Sequence, residues 1–166
     1  MNKYPPNFIK VMVDMDGVLT DWEGAVKGLT GESLSWDDPE DKKIKIYQAI
    51  DEAGPNFWSE MKYLPDDIGG RALWKICQPF HPTILSSPGK FMYAQQGKRE
   101  WVAANLPGTT LYLSVDKFEY AERDAVLIDD NESNIGSWRE AGGTGILHKN
   151  TESTEIALLS LLAPHE

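Results

Sequence analysis

At 166 residues, with 41% hydrophobic and 25% charged side chains, the chain has the composition of one globular domain with room for a small inserted unit, which excludes disorder. A net charge of −10 repels polyanions and argues against general binding to DNA or RNA, so a small anionic substrate needs a local positive pocket. The single cysteine, Cys77, rules out an internal disulfide and a multi-cysteine zinc site.

The first predicted strand is the apolar, β-prone run Phe8-Ile9-Lys10-Val11-Met12-Val13, and Asp14-Met15-Asp16-Gly17-Val18-Leu19 follows it directly. In an open α/β sheet ligands bind beyond the carboxyl ends of strands, and residues two apart in extended chain point the same way. Asp14 and Asp16 are therefore placed to share a metal or a phosphate, although Asp-x-Asp-Gly fits a tight turn equally well. A short helix is predicted over 21–29. The next helix takes Asp38 as N-cap and Pro39 in its first turn, runs through Ile44, Ile46, Tyr47 and Ile50, and stops at Gly54-Pro55. Another covers 66–77, with Ile68, Ala72, Leu73 and Ile76 as its apolar stripe. No strand is predicted between these helices, so the segment reads as a helical insertion.

Strands resume at 82–85, 110–113 and 125–128, with helices over 95–105 and 132–141, then a last strand over 144–147 and a last helix over 152–162. This alternation predicts an α/β fold, a Rossmann-like three-layer core with a central parallel sheet. The core is expected to comprise 1–20 and 80–166, and a small helical cap inserted after the first motif to comprise 21–79. No run approaches the roughly 20 apolar residues of a membrane span, and no signal peptide is read, so the expected location is the cytoplasm.

The polar residues fall at strand ends. Asp14 and Asp16 follow the first strand, Ser86-Ser87-Pro88 the second and Asp129-Asp130-Asn131 the fourth, which brings them to one rim. Crowded carboxylates repel one another and lose solvation, and a bound cation compensates; oxygen ligands point to Mg²⁺. Asp129-Asp130 also suits a helix N-terminus, and Ser86-Ser87-Pro88 a simple turn.

In this order, with a lysine between the serine and the later acidic pair, the motifs resemble the haloacid dehalogenase (HAD) superfamily of phosphohydrolases over nearly the whole chain. Receiver domains combine the same residue types, but with the phosphorylated aspartate in mid-chain. The segments Ser86-Ser87-Pro88-Gly89-Lys90, Lys98-Arg99-Glu100-Trp101-Val102, Asp116-Lys117, Leu127-Ile128-Asp129-Asp130 and Asn56-Phe57-Trp58 are similar to those of the 5'(3')-deoxyribonucleotidases. Ser86 departs from relatives that often carry Thr, and keeps the hydroxyl.

The resemblance implies a Mg²⁺-dependent phosphomonoesterase that hydrolyses nucleoside monophosphates, deoxyribonucleotides first, through an aspartyl phosphate. Asp14 is then the nucleophile, and Asp16 the acid and base that starts protonated. The metal is held by Asp14, the Asp16 carbonyl and Asp130, while Asp129 orients a lysine or a metal-bound water. Ser86 and Ser87 hold phosphoryl oxygens; Lys98 is the preferred neutralising lysine, with Lys117 and Lys90 as further phosphate contacts. Trp22, Phe57 and Trp58 match aromatic positions that help hold the nucleoside, although the same rings suit packing within the cap. The expected partner is this small substrate and at most a second copy of the chain, with no nucleic acid polymer and no membrane. Two alternatives stay open: a relative acting on another small phosphate ester, and a nucleotide- or phosphate-binding protein without turnover. His81, His148 and His165 receive no role.

Overall fold

The computed structural model describes residues 9–163. Its five strands, β1 (Lys10–Val13), β2 (Thr83–Ser86), β3 (Leu111–Leu113), β4 (Ala125–Asp129) and β5 (Thr144–Leu147), form one parallel sheet in the order β3-β2-β1-β4-β5. Phe8, expected to open the first strand, lies outside the described residues. β1 is central because it is buried on both faces. Val11 and Val13 point to one layer with Ile84, Val126 and Ile128, while Met12 points to the other with Leu85 and Leu127.

Helices cover the two faces. α5 (Ala94–Asn105) brings Trp101 and Val102, and α7 (Thr151–Ser160) brings Leu158, to the Val11–Val13 side; α6 (Glu132–Glu140) brings Ile135 and Trp138 to the other. The expected three-layer α/β core is therefore the one observed. In register, Val13 lies beside Ile84 and Ile128, so the residues that follow β1, β2 and β4 emerge together at the carboxyl edge.

Four helices lie between β1 and β2: α1 (Trp22–Thr30), α2 (Glu40–Ala53), α3 (Asn56–Ser59) and α4 (Gly70–Cys77). Asp21 caps α1 by accepting from the Gly24 N–H at 2.9 Å. α1 packs on α2, α3 on α5, and α4 on α7 of the core. Asp38 does not cap α2 as expected. Pro39 holds that position, while the Asp38 carboxylate accepts from the Ser35 N–H at 2.6 Å and pairs with Lys42 at 3.0 Å, closing the preceding loop.

The helix expected over 66–77 starts only at Gly70. Ile68 accordingly belongs to the turn, and the backbone at Gly70 has φ 58, with the Leu64 carbonyl so close that a Cβ would strike it. α3 was not expected, nor was the single antiparallel bridge between Thr20 and Tyr63. Among the described residues, no helix is long and apolar enough to cross a membrane.

Candidate active site

The turn after β1 sets the site. Asp14 continues the strand, its N–H donating to the Ile128 carbonyl at 3.0 Å, and the chain then reverses. Val18, Leu19 and Thr20 all donate to the Met15 carbonyl, at 3.1, 2.7 and 2.9 Å, and Gly17 takes φ 82 within the turn. Asp16 is thus on a turn and not in extended chain, and its carboxylate does not share a partner with Asp14.

Lys117, in a short 3₁₀ turn over Lys117–Tyr120, donates to Asp14 Oδ1 at 2.8 Å and to Asp129 Oδ2 at 2.7 Å. Lys98, on α5, donates to Asp16 Oδ2 at 2.9 Å, to Ser86 Oγ at 2.6 Å and to the Ser87 carbonyl at 2.8 Å. Both lysines are almost fully buried. Each carboxylate of the first motif therefore has its own ammonium. The Lys117 pairing with Asp14 is the neutralising contact that the sequence reading preferred for Lys98.

Asp16 Oδ1 also accepts from Thr20 Oγ1 at 2.9 Å, so both of its oxygens face donors. The Asp16 carboxyl is thereby fixed between Lys98 and Thr20. Ser86 closes β2, and since its Oγ accepts from Lys98, its own O–H is left to donate elsewhere. The Ser87 hydroxyl accepts from the Gly89 N–H at 3.1 Å. Lys90 is not brought to this group. It is exposed, and its ammonium lies 4.9 Å from the centre of the Tyr47 ring on α2.

Asp129 is held by three donors. Besides Lys117 it accepts from the Asn131 N–H at 2.9 Å and from Asn134 Nδ2 at 3.1 Å. Asn131 caps α6, accepting from the Asn134 N–H at 3.0 Å, so Asp129 and Asp130 precede the cap itself. Thr20 and Asn134 are the site residues that sequence reasoning missed. Their only signals were spacing, four residues after Asp16 and five after Asp129.

Asp14, Asp129 and Asp130 each present an oxygen, all within 4.8 Å of one another. Burial pushes the Asp14 carboxyl well above its ordinary range, and the charges of Asp129 and Asp130 add to this, against the pull of Lys117. Desolvation and Asp129 raise Asp130 to about 6. Burial opposes the charged form of Lys117, but Asp14 and Asp129 more than offset it and hold its pKa above the ordinary lysine value. Three carboxylates against one ammonium leave an excess of negative charge that a divalent cation neutralises. Oxygen donors without histidine or cysteine suit a hard cation such as Mg²⁺. The turn is shaped to this cluster, because a Cβ at Gly17 would strike the Asp130 carboxylate.

Of the aromatic residues, Trp22 opens α1 and is half-buried against the core, and Phe57 is also half-buried. Trp58 is buried, with the Phe57 ring at 5.1 Å, the Phe91 ring at 5.2 Å and the Lys98 ammonium 5.3 Å from its ring centre. Its Nε1–H finds no acceptor among the described residues.

This order of elements has a counterpart among solved structures. A HAD family hydrolase from Deinococcus radiodurans R1, solved with bound phosphate and sodium, matches at TM-score 0.51 and 17% identity, over 96% of this chain and 90% of its own. The fold is HAD-like. A hydrolase from Pseudomonas syringae matches at TM-score 0.48 and 12% identity, over 82% of each chain. No family model matches the chain, and no curated protein does.

Proposed function

We propose that this HAD-like chain is a Mg²⁺-dependent phosphomonoesterase that uses Asp14 as nucleophile, with nucleoside monophosphates, deoxyribonucleotides first, as its substrates. The observation that carries the reading is the buried Asp14, held by Lys117 beside Asp129 and Asp130 at the edge where β1, β2 and β4 end. The bound phosphate of the Deinococcus radiodurans relative is in keeping with a phosphoryl substrate.

With Asp129 engaged by Lys117, Asn131 and Asn134, the residues left to hold a cation are Asp14, Asp130 and the Asp16 carbonyl, which the hydrogen bonds of the turn leave free. When bound, a divalent cation there supplies positive charge to the phosphoryl oxygens and keeps Asp14 ionised.

The residues divide the remaining work. Asp14 uses the oxygen that Lys117 does not hold to attack phosphorus, forming an O–P bond as the bond to the leaving alcohol breaks. The Ser86 O–H and the main-chain N–H groups beside it donate to phosphoryl oxygens. Asp16 delivers a proton to the leaving oxygen, then takes one from the water that attacks the aspartyl phosphate and frees Asp14. Thr20 and Lys98 hold the Asp16 carboxyl in place for this transfer.

One observation favours a second reading, a phosphatase of another small ester. Trp58 is enclosed by Phe57, Phe91 and Lys98, which leaves the half-buried Trp22 and Phe57 to recognise a base. Phosphate release from nucleoside 5'- and 3'-monophosphates, sugar phosphates and an aryl phosphate, with Mg²⁺ and with chelator, separates the two. Nucleotide preference is expected, and sugar phosphate preference selects the second. Asp14→Asn should remove turnover, by at least about 10³-fold, with the circular dichroism spectrum unchanged. Retained activity in that variant overturns the nucleophile.

A further inference from the structure

The enclosure of Trp58 also gives it a task other than holding a nucleoside. An ammonium has three N–H bonds, and on Lys98 each has an acceptor: Asp16, Ser86 Oγ and the Ser87 carbonyl. The Trp58 ring covers a further side of the ammonium, its centre 5.3 Å from Nζ, and Lys98 is 1% exposed. A cation within about 6 Å of an aromatic face is attracted by the ring quadrupole, and more strongly when water is excluded.

The fold brings the ring there through a close approach of α3 to α5. At Gly97, next to Lys98, a Cβ would strike Trp58 Cβ and meet the Pro55 carbonyl, so a side chain at that position forces the two helices apart. Trp58 also leaves its Nε1–H buried without an acceptor. Phenylalanine would avoid that penalty, but indole offers the strongest aromatic face to a cation.

We propose that Trp58 is a positioning residue. Its indole face shuts the Lys98 ammonium off from water and thereby holds Lys98 on Asp16 and Ser86, so the insertion helix α3 sets the geometry of the catalytic pair. The proposal rests on the phosphatase reading of the site. Its effect falls on kcat for every ester alike, whereas a ring that stacks on a base acts on KM for nucleotides.

The test replaces Trp58 by tryptophans carrying one, two and three ring fluorines, which weaken the negative face stepwise at nearly constant size. With p-nitrophenyl phosphate and with a deoxyribonucleoside 5'-monophosphate, kcat should fall progressively, by up to about tenfold across the series, while KM holds. A kcat that does not vary across the series, or a rise in KM confined to the nucleotide, overturns the proposal. An activity-free readout accompanies it. The Lys98 ε-methylene protons should resonate upfield in the native protein through the indole ring current, and return downfield in Trp58→Leu. Absence of that shift in the native protein also overturns the proposal. Absence of turnover on every ester, with the shift present, overturns the phosphatase reading while leaving the contact itself established.

Discussion

The excess charge at the rim makes a prediction with opposite signs in one variant. Oxygens of Asp14, Asp129 and Asp130 crowd within 4.8 Å, with Lys117 the one ammonium paired to them among the described residues, and Asp130 is raised from its ordinary 3.8 to about 6. A folded-state value above the unfolded one means that, in cation-free protein, the contribution of Asp130 is present below about pH 4 and lost as pH rises through about 6. For a fully buried carboxyl such a rise corresponds to ~3 kcal/mol, and solvent screening of the exposed Asp130 cuts this to ~1–2 kcal/mol. In chelator at pH 8, Asp130→Asn should therefore melt higher than the native chain. For 166 residues each kcal/mol moves Tm by about 2–4 °C, which gives a rise of roughly 2–8 °C. Saturating Mg²⁺ should reverse the order. At 100 times its Kd a cation stabilises the native protein by about 2.7 kcal/mol, or roughly 5–11 °C, and the variant should lose most of that response. Thermal melts of both proteins, with chelator and across a Mg²⁺ titration, measure both effects. A variant that melts lower in chelator yet keeps the full Mg²⁺ response refutes the assignment of Asp130 to the cation.

Two further predictions follow from buried titratable groups. Lys117→Met leaves Asp14 and Asp129 buried without their ammonium, so urea unfolding in chelator should show a loss of about 3–5 kcal/mol, and a loss below about 1 kcal/mol contradicts the pairing. His148 sits buried between Thr154 and the Ile68 carbonyl, and burial holds its pKa below the ordinary 6.5. Its contribution is then present above about pH 6.5 and lost as pH falls through the lower folded value. In saturating Mg²⁺, which removes the opposing slope from Asp130, the urea midpoint should fall between pH 7.5 and 5, and His148→Gln should flatten that fall; parallel profiles contradict it.

Much of this architecture is legible in the chain because strong local signals coincide with burial. The β1 and β4 segments are short, apolar and β-branched, and each is followed by acidic residues, so both the strands and the rim they build can be read directly. α3 cannot: Asn-Phe-Trp-Ser is too short for any period, and tertiary packing on α5 holds it. The early start assigned to α4 fails for a related reason. Ile68 continues the apolar stripe of that helix, but the close approach of Gly70 to the Leu64 carbonyl dictates where it begins. Lysines are the hardest to read. Nothing local distinguishes Lys90, exposed over a half-buried tyrosine ring, from Lys98 and Lys117, whose acceptors lie up to 103 positions away.

That difference explains why Asp14 and Asp16, two positions apart, are not equivalent. Asp14 sits at the end of a buried strand, where desolvation dominates and the neighbouring charges are two more carboxylates and one shared ammonium. Asp16 is lifted onto the turn by three hydrogen bonds to one carbonyl, where it meets an ammonium of its own and a threonine hydroxyl. A group deficient in positive charge is suited to bind a cation and to approach an electrophilic phosphorus. A group already balanced, at the more open side of the turn, is suited to exchange protons. The tight turn and the acidic motif, which are rival readings of Asp-x-Asp-Gly in the sequence, are one device: the turn sends the two carboxylates to different counter-charges.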